Sequence, residues 1–117
     1  MKLSELASRI GAEILTQGLC GDAEIGRVYA GDRVSDLLNE ASSETLLVTS
    51  LSGRQIVRIA ELMDVPAICL VKGTRPDADM IAAAAQKGTA VLVSPDGMFE
   101  TCGRLYDCLN GKGQQER

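Results

Sequence analysis

The chain has 117 residues, 45% hydrophobic and 3% aromatic, and its 12 Lys and Arg against 16 Asp and Glu give a formal net charge of −4. It contains no histidine and no tryptophan, which excludes a His-based triad, a His general base and a His metal ligand. A net acidic chain so poor in aromatics is a weak nucleic-acid binder, and one so apolar is not disordered.

Leu3, Leu6, Ala7 and Ile10 stand at i, i+3, i+4, i+7 and predict a short helix over Leu3–Ile10, stopped by Gly11. A short strand is expected at Ala12–Thr16, a loop at Gly18–Asp22 and a second strand at Ile25–Ala30. Ser35 is the expected N-cap of a helix over Asp36–Ala41, with Asp36 at the positive end of its dipole. Thr45–Thr49 is a nearly continuous apolar run, as a strand covered on both faces requires. Ser50–Gly53 turns into a helix over Gly53–Met63, with Ile56, Ile59, Ala60 and Met63 as its buried stripe.

Ala67–Val71 reads as the next strand, entered through Pro66, and Gly73-Thr74-Arg75-Pro76 as a turn. The helix Asp77–Lys87 should bury Ile81, Ala84 and Ala85, and its four alanines suit close packing on a sheet. A strand at Ala90–Val93 and the turn Ser94-Pro95-Asp96-Gly97 lead to a last helix, Met98–Asn110, with an expected inner stripe of Phe99, Cys102, Tyr106 and Leu109. From residue 45 the order is strand, helix, repeated three times. That alternation predicts an α/β fold: a layered sheet with a mainly parallel βαβαβα unit (residues 45–110), preceded by a short helix and two short strands. Length fits a single domain over 1–110 with a polar tail at 111–117.

No apolar run approaches the roughly 20 residues that span a bilayer, and Met1–Leu6 lacks the apolar stretch of a signal peptide, so the cytoplasm is the expected compartment. Four cysteines occur, Cys20, Cys69, Cys102 and Cys108, without a Cys-x-x-Cys pair; reduced structural thiols are expected, a redox switch or cluster ligand being the alternative. Cys69 lies in an apolar run and reads as a buried hydrophobe. Cys102 and Cys108 lie about 240° apart on a helix and do not share one face. Cys20, in a Gly-flanked loop, is the most reactive candidate.

The βα turns are the candidate ligand site: Ser50-Leu51-Ser52-Gly53-Arg54, Gly73-Thr74-Arg75-Pro76-Asp77 and Ser94-Pro95-Asp96-Gly97. All should emerge at the carboxyl edge of the parallel strands, where open α/β sheets place ligands. Ser50, Ser52, Gly53, Gly73, Thr74, Ser94 and Asp96 supply hydroxyls, backbone and a carboxylate, and Arg54 and Arg75 supply charge for phosphate or carboxylate. The same residue types also serve as ordinary turn formers and caps. Neither the P-loop nor the dinucleotide glycine pattern is present. Asp32 and Asp36 flank Arg33, and Asp77 and Asp79 open a helix; their ordinary roles are turn, cap and dipole compensation. No serine or cysteine has a His partner, so catalysis is not expected, and neither is a cofactor or a metal. The short strands within 12–30 leave edges that a second copy would cover, which predicts a homodimer.

Tyr29–Leu38, which includes Gly31-Asp32-Arg33, together with Leu46–Thr49, Val65–Val71 with Pro76-Asp77 behind it, and Gly103-Arg104-Leu105-Tyr106 carry a pattern that resembles the DRTGG domain family. The likeness runs from Met1 to Tyr106; the motif that names the family is absent, with Gly31-Asp32-Arg33 near its expected place. The resemblance implies a fold similar to the N-terminal domain of HPr kinase/phosphorylase and the first domain of Mur ligases. It implies a regulatory or dimerising module of the kind found beside CBS domains in some inorganic pyrophosphatases and within some phosphate acetyltransferases. Stand-alone versions occur in anaerobes, some near iron-only hydrogenase genes, which implies a partner in a regulatory or hydrogenase-related system. In the Mur relatives this domain holds part of a uridine nucleotide, and Asp32 and Arg33 are similar to that region. The expected function is a non-catalytic regulatory or assembly domain, at most accessory to phosphotransfer; the alternative is a small-anion or nucleotide sensor at turns 50–54, 73–77 and 94–97.

Overall fold

The structure, a computed structural model, describes residues 1–16 and 23–110. The expected loop Gly18–Asp22 with Cys20, and the tail Gly111–Arg117, lie outside the described residues. In chain order the elements are α1 (Leu3–Ile10), β1 (Glu13–Ile14), β2 (Arg27–Ala30), α2 (Val34–Glu40), β3 (Thr45–Thr49), α3 (Arg54–Leu62), β4 (Ala67–Leu70), α4 (Ala78–Gln86), β5 (Ala90–Val93) and α5 (Met98–Leu109). The strands form one five-stranded sheet in the order β1-β5-β4-β3-β2. β2, β3, β4 and β5 are parallel, with Val28 opposite Leu46, Leu47 opposite Ile68 and Cys69 opposite Leu92. The two early strands take opposite edges of this sheet: β1 joins β5 antiparallel, and β2 joins β3 parallel.

All residues of β3 and β4 are buried, as their unbroken apolar runs require. Alternation divides them between two cores. Leu46, Val48, Cys69 and Leu92 point to the face covered by α1 and α5, where Leu3, Leu6, Ile10 and Leu105 meet them. Leu47, Ile68, Leu70 and Val91 point to the face covered by α2, α3 and α4, where Leu37, Ile56, Ile59 and Met80 meet them. Gly11 ends α1 at φ +73°, where a side chain would be strained, and its N–H closes the last turn.

Three details differ from expectation. Arg33, not Ser35, is the N-cap residue of α2, and no side-chain hydrogen bond is made there; the helix starts at Val34, which places Ser35 inside the first turn. The buried residues of α4 are Met80 and Ala84, while Ile81 is half-buried and Ala85 exposed. Asp77 caps this helix by accepting from the Met80 N–H at 2.8 Å, which fixes its phase. In α5 the buried residues are Thr101 and Leu105, and Phe99 and Tyr106 are 89% and 65% exposed. The true inner stripe is Met98, Thr101, Cys102, Leu105, Cys108 and Leu109, a proper i, i+3, i+4, i+7 pattern. Both half-buried cysteines therefore rest on the same core, on either side of Leu105.

Candidate functional site

The parallel register delivers the three predicted turns to one edge. Val71 N–H donates to Thr49 O at 3.4 Å, Ser94 N–H to Leu70 O at 2.8 Å, and Lys72 N–H to Asp96 O at 2.9 Å. These bonds stitch the β3–α3, β4–α4 and β5–α5 turns side by side.

Asp32, after β2, reaches across to the first of them. Its carboxylate accepts from Thr49 Oγ1 at 2.8 Å, from the Ser50 N–H at 2.7 Å and from Ser50 Oγ at 2.6 Å. The Ser50 hydroxyl, with the Ser50 N–H and Thr49 adding to it, holds the Asp32 carboxyl below its ordinary pKa against a smaller opposing effect of burial. Asp32 thus clasps the end of β3 and is already satisfied. Its neighbour Arg33 is 81% exposed and lies 3.8 Å from Asp36, outside the clasp.

Gly53 caps α3 at φ +105°, a conformation that only glycine takes without strain, and its N–H points at the Met80 sulfur at 3.3 Å. No side chain caps α3, so the N–H groups of its first turn face the edge with the positive end of the dipole. Ser52 and Arg54 are exposed beside it, as are Gly73 and Arg75 on the next turn, with Thr74 half-buried. Among the described residues Arg54, Arg75 and Lys72 have no ion-pair partner, as is also the case for Lys2 and Arg58, whereas Arg9, Arg27, Arg33, Lys87 and Arg104 each have one. Lys72 was not among the sequence candidates; its place directly after a buried strand was the available signal.

The third turn is engaged within itself. Ser94 is buried and its hydroxyl lies 2.7 Å from Thr101 Oγ1, while the Asp96 N–H donates to Ser94 Oγ at 3.1 Å. Thr101 Oγ1 also donates to Asp96 O at 3.2 Å. Arg104 Nε lies 3.3 Å from Asp96 Oδ2 without hydrogen-bond alignment. The ionic attraction there is direct but poorly directed.

The cavities lie elsewhere. One of about 380 Å³ opens between β2 and α5, walled by Val28, Ala30, Cys102, Tyr106 and Leu109. Another, about 340 Å³, sits between α1 and α5 beside Arg9, Arg104 and Asp107, and a third of similar size lies at the amino edge near Glu61, Asp64 and Lys87. The carboxyl edge carries the exposed charges of Arg54, Lys72 and Arg75. Among the described residues no group of three His, Cys, Asp or Glu converges to hold a metal. No helix there is long and apolar enough to cross a membrane.

In fold the chain is DRTGG-like. A solved structure of the CBS and DRTGG domains of the regulatory region of Clostridium perfringens pyrophosphatase, complexed with the activator diadenosine tetraphosphate, matches it with a TM-score of 0.71 over 89% of this chain, at 15% identity. The chain spans less than half of that neighbour, 45% of its length. No family model matches the sequence, and no curated protein does.

Proposed function

We propose that this chain is a non-catalytic regulatory module that works by self-association, as a homodimer. The observation that carries the reading is the outer stripe of α5, where Phe99 and Tyr106 stand 89% and 65% exposed on an otherwise acidic protein. Two aromatic rings grouped on one helix face form the kind of exposed apolar patch that a protein partner covers. The fold likeness to a regulatory region supports the regulatory half of the reading. Sedimentation across a micromolar dilution series tests it: a mass that stays dimeric is expected, and a monomer throughout would end the assembly reading.

A second reading is a sensor for a phosphorylated anion or nucleotide at the carboxyl rim. It is favoured by Arg54, Lys72 and Arg75, three cations without ion pairs on the β3–α3 and β4–α4 turns of that rim, and by the uncapped start of α3. The similar regulatory region is complexed with a nucleotide activator, which makes nucleotides the first probes. An anion at about 100 times its Kd should raise stability by roughly 2.7 kcal/mol. Thermal shift should register that gain, and Arg54→Ala with Arg75→Ala should abolish it. A gain that survives both substitutions places the anion elsewhere.

A further inference from the structure

Two unpartnered surfaces of this chain lie side by side. β2 is an end strand of the sheet, with no pairing on its outer side among the described residues. Its Arg27 N–H donates to Glu44 O, and the Gly31 N–H beyond it donates to Val48 O. Strand alternation then turns the N–H and C=O groups of Val28 and Ala30 outward. The same two residues wall the cavity between β2 and α5. On α5 the outward residues Phe99, Gly103 and Tyr106, at i, i+4, i+7, continue that surface.

We infer that a second copy of the chain covers this surface, the two β2 strands pairing antiparallel about a two-fold axis at Tyr29 while the two α5 helices cross at Gly103. This rests on the self-association reading and names its interface. The backbone chemistry is self-complementary: with Val28 opposite the partner's Ala30, each donates its N–H to the other's carbonyl, and every outward group of β2 is used. The charges fit a copy better than an oppositely charged partner. The chain carries −4 and repels itself, yet Phe99, Cys102, Gly103, Tyr106 and Leu109 carry no charge. Arg27 is neutralised by Glu40 at 3.2 Å within its own protomer; Arg104 and Asp107 face the α1 side of the helix, and the exposed Glu100 stands on the same flank as Asp107, the side of Gly103 away from Phe99 and Tyr106.

A stable interface takes about 800 Å² from each partner, roughly an eighth of this chain's 6353 Å². At about 200 Å² per ring, Phe99 and Tyr106 supply roughly 300 Å² of that, and the outer edge of β2 and the flank of α5 around Gly103 add to it. Gly103 explains the close approach. A glycine weakens a helix interior, and a methyl group placed here would meet no atom within 4 Å in its own protomer. It leaves a notch where two helix backbones meet.

The test uses the full chain. Wild type should sediment as a dimer, and Tyr106→Glu, Phe99→Glu and Ala30→Pro should each weaken dimerisation by at least about tenfold, the loss expected of a central contact. Ala30→Pro removes an N–H that points away from β3, so the protomer keeps its own bonds; circular dichroism checks each fold. Hydrogen exchange gives a readout without mutation: Val28 and Ala30 amides should be protected at dimer concentrations and exchange on dilution. A dimer that resists all three substitutions, with these amides exchanging freely, overturns the interface and leaves self-association standing. A wild-type monomer overturns both.

Discussion

The Asp32 clasp is an ionic hydrogen-bond site on an exposed residue, and its energetics follow from that position. Its folded pKa lies below the unfolded value of about 3.9. The stabilisation is therefore complete above that unfolded value and is lost as pH falls through the lower, folded one. Asp32→Asn should lose about 1 kcal/mol at neutral pH, because solvent screens the site. Urea midpoints of the two proteins should converge as the solution is made strongly acidic; a constant gap would mean that charge has no part in the clasp. Asp64 makes the opposite case. It holds φ +60° just past α3, a region that suits glycine better, so Asp64→Gly should raise stability by about 0.5 kcal/mol by thermal denaturation. Burial pushes the Cys69 thiol up to about 12, while Cys102 and Cys108 are only half-buried, with thiols raised by the same cause. Native alkylation at mildly alkaline pH should therefore label Cys108 first, reach Cys102 only as dilution uncovers the proposed interface, and spare Cys69 until the chain unfolds.

Among the elements, the central strands were legible because continuous burial leaves an apolar run that nothing else explains, and most of the α3 stripe because Ile56, Ile59 and Ala60 recur at helical spacing; Val57 is buried with them, while Met63, expected in the stripe, is the half-buried C-cap residue. The phase of α4 and α5 was not. In α4 four consecutive alanines carry no periodic signal, and Asp77 sets the phase through a cap bond to Met80. In α5 the buried Thr101 is polar to a sequence reader; it is buried because its hydroxyl is paired with Ser94, while the two aromatics that draw the eye point outward. The candidate rim was legible as strand-end turns, but not its internal bonding: nothing in Ser94-Pro95-Asp96-Gly97 says that its first hydroxyl faces a helix. These pairings have measurable worth. Asp77→Ala should cost about 1 kcal/mol through the lost cap. Thr101→Val should cost about 1–2 kcal/mol, since Ser94 then keeps a buried hydroxyl with one partner fewer. Chemical denaturation with an unchanged slope would check both.

At the scale of the molecule, the two faces of one sheet make two cores, and each strand residue serves only one of them. Leu46→Ala, on the α1/α5 side, and Ile68→Ala, on the other, should each cost about 2–5 kcal/mol. The sites lie on neighbouring strands, so the double variant reports through its non-additivity whether the cores are coupled through the sheet. The connection that closes the first core spans most of the chain. Leu15 N–H donates to Val91 O at 2.8 Å, and the buried Val91 N–H returns a bond to Thr16 Oγ1 at 3.2 Å. During synthesis, then, α1 and β1 leave the ribosome and wait while the residues up to the strand they dock on are added, a separation of 75 positions between Thr16 and Val91.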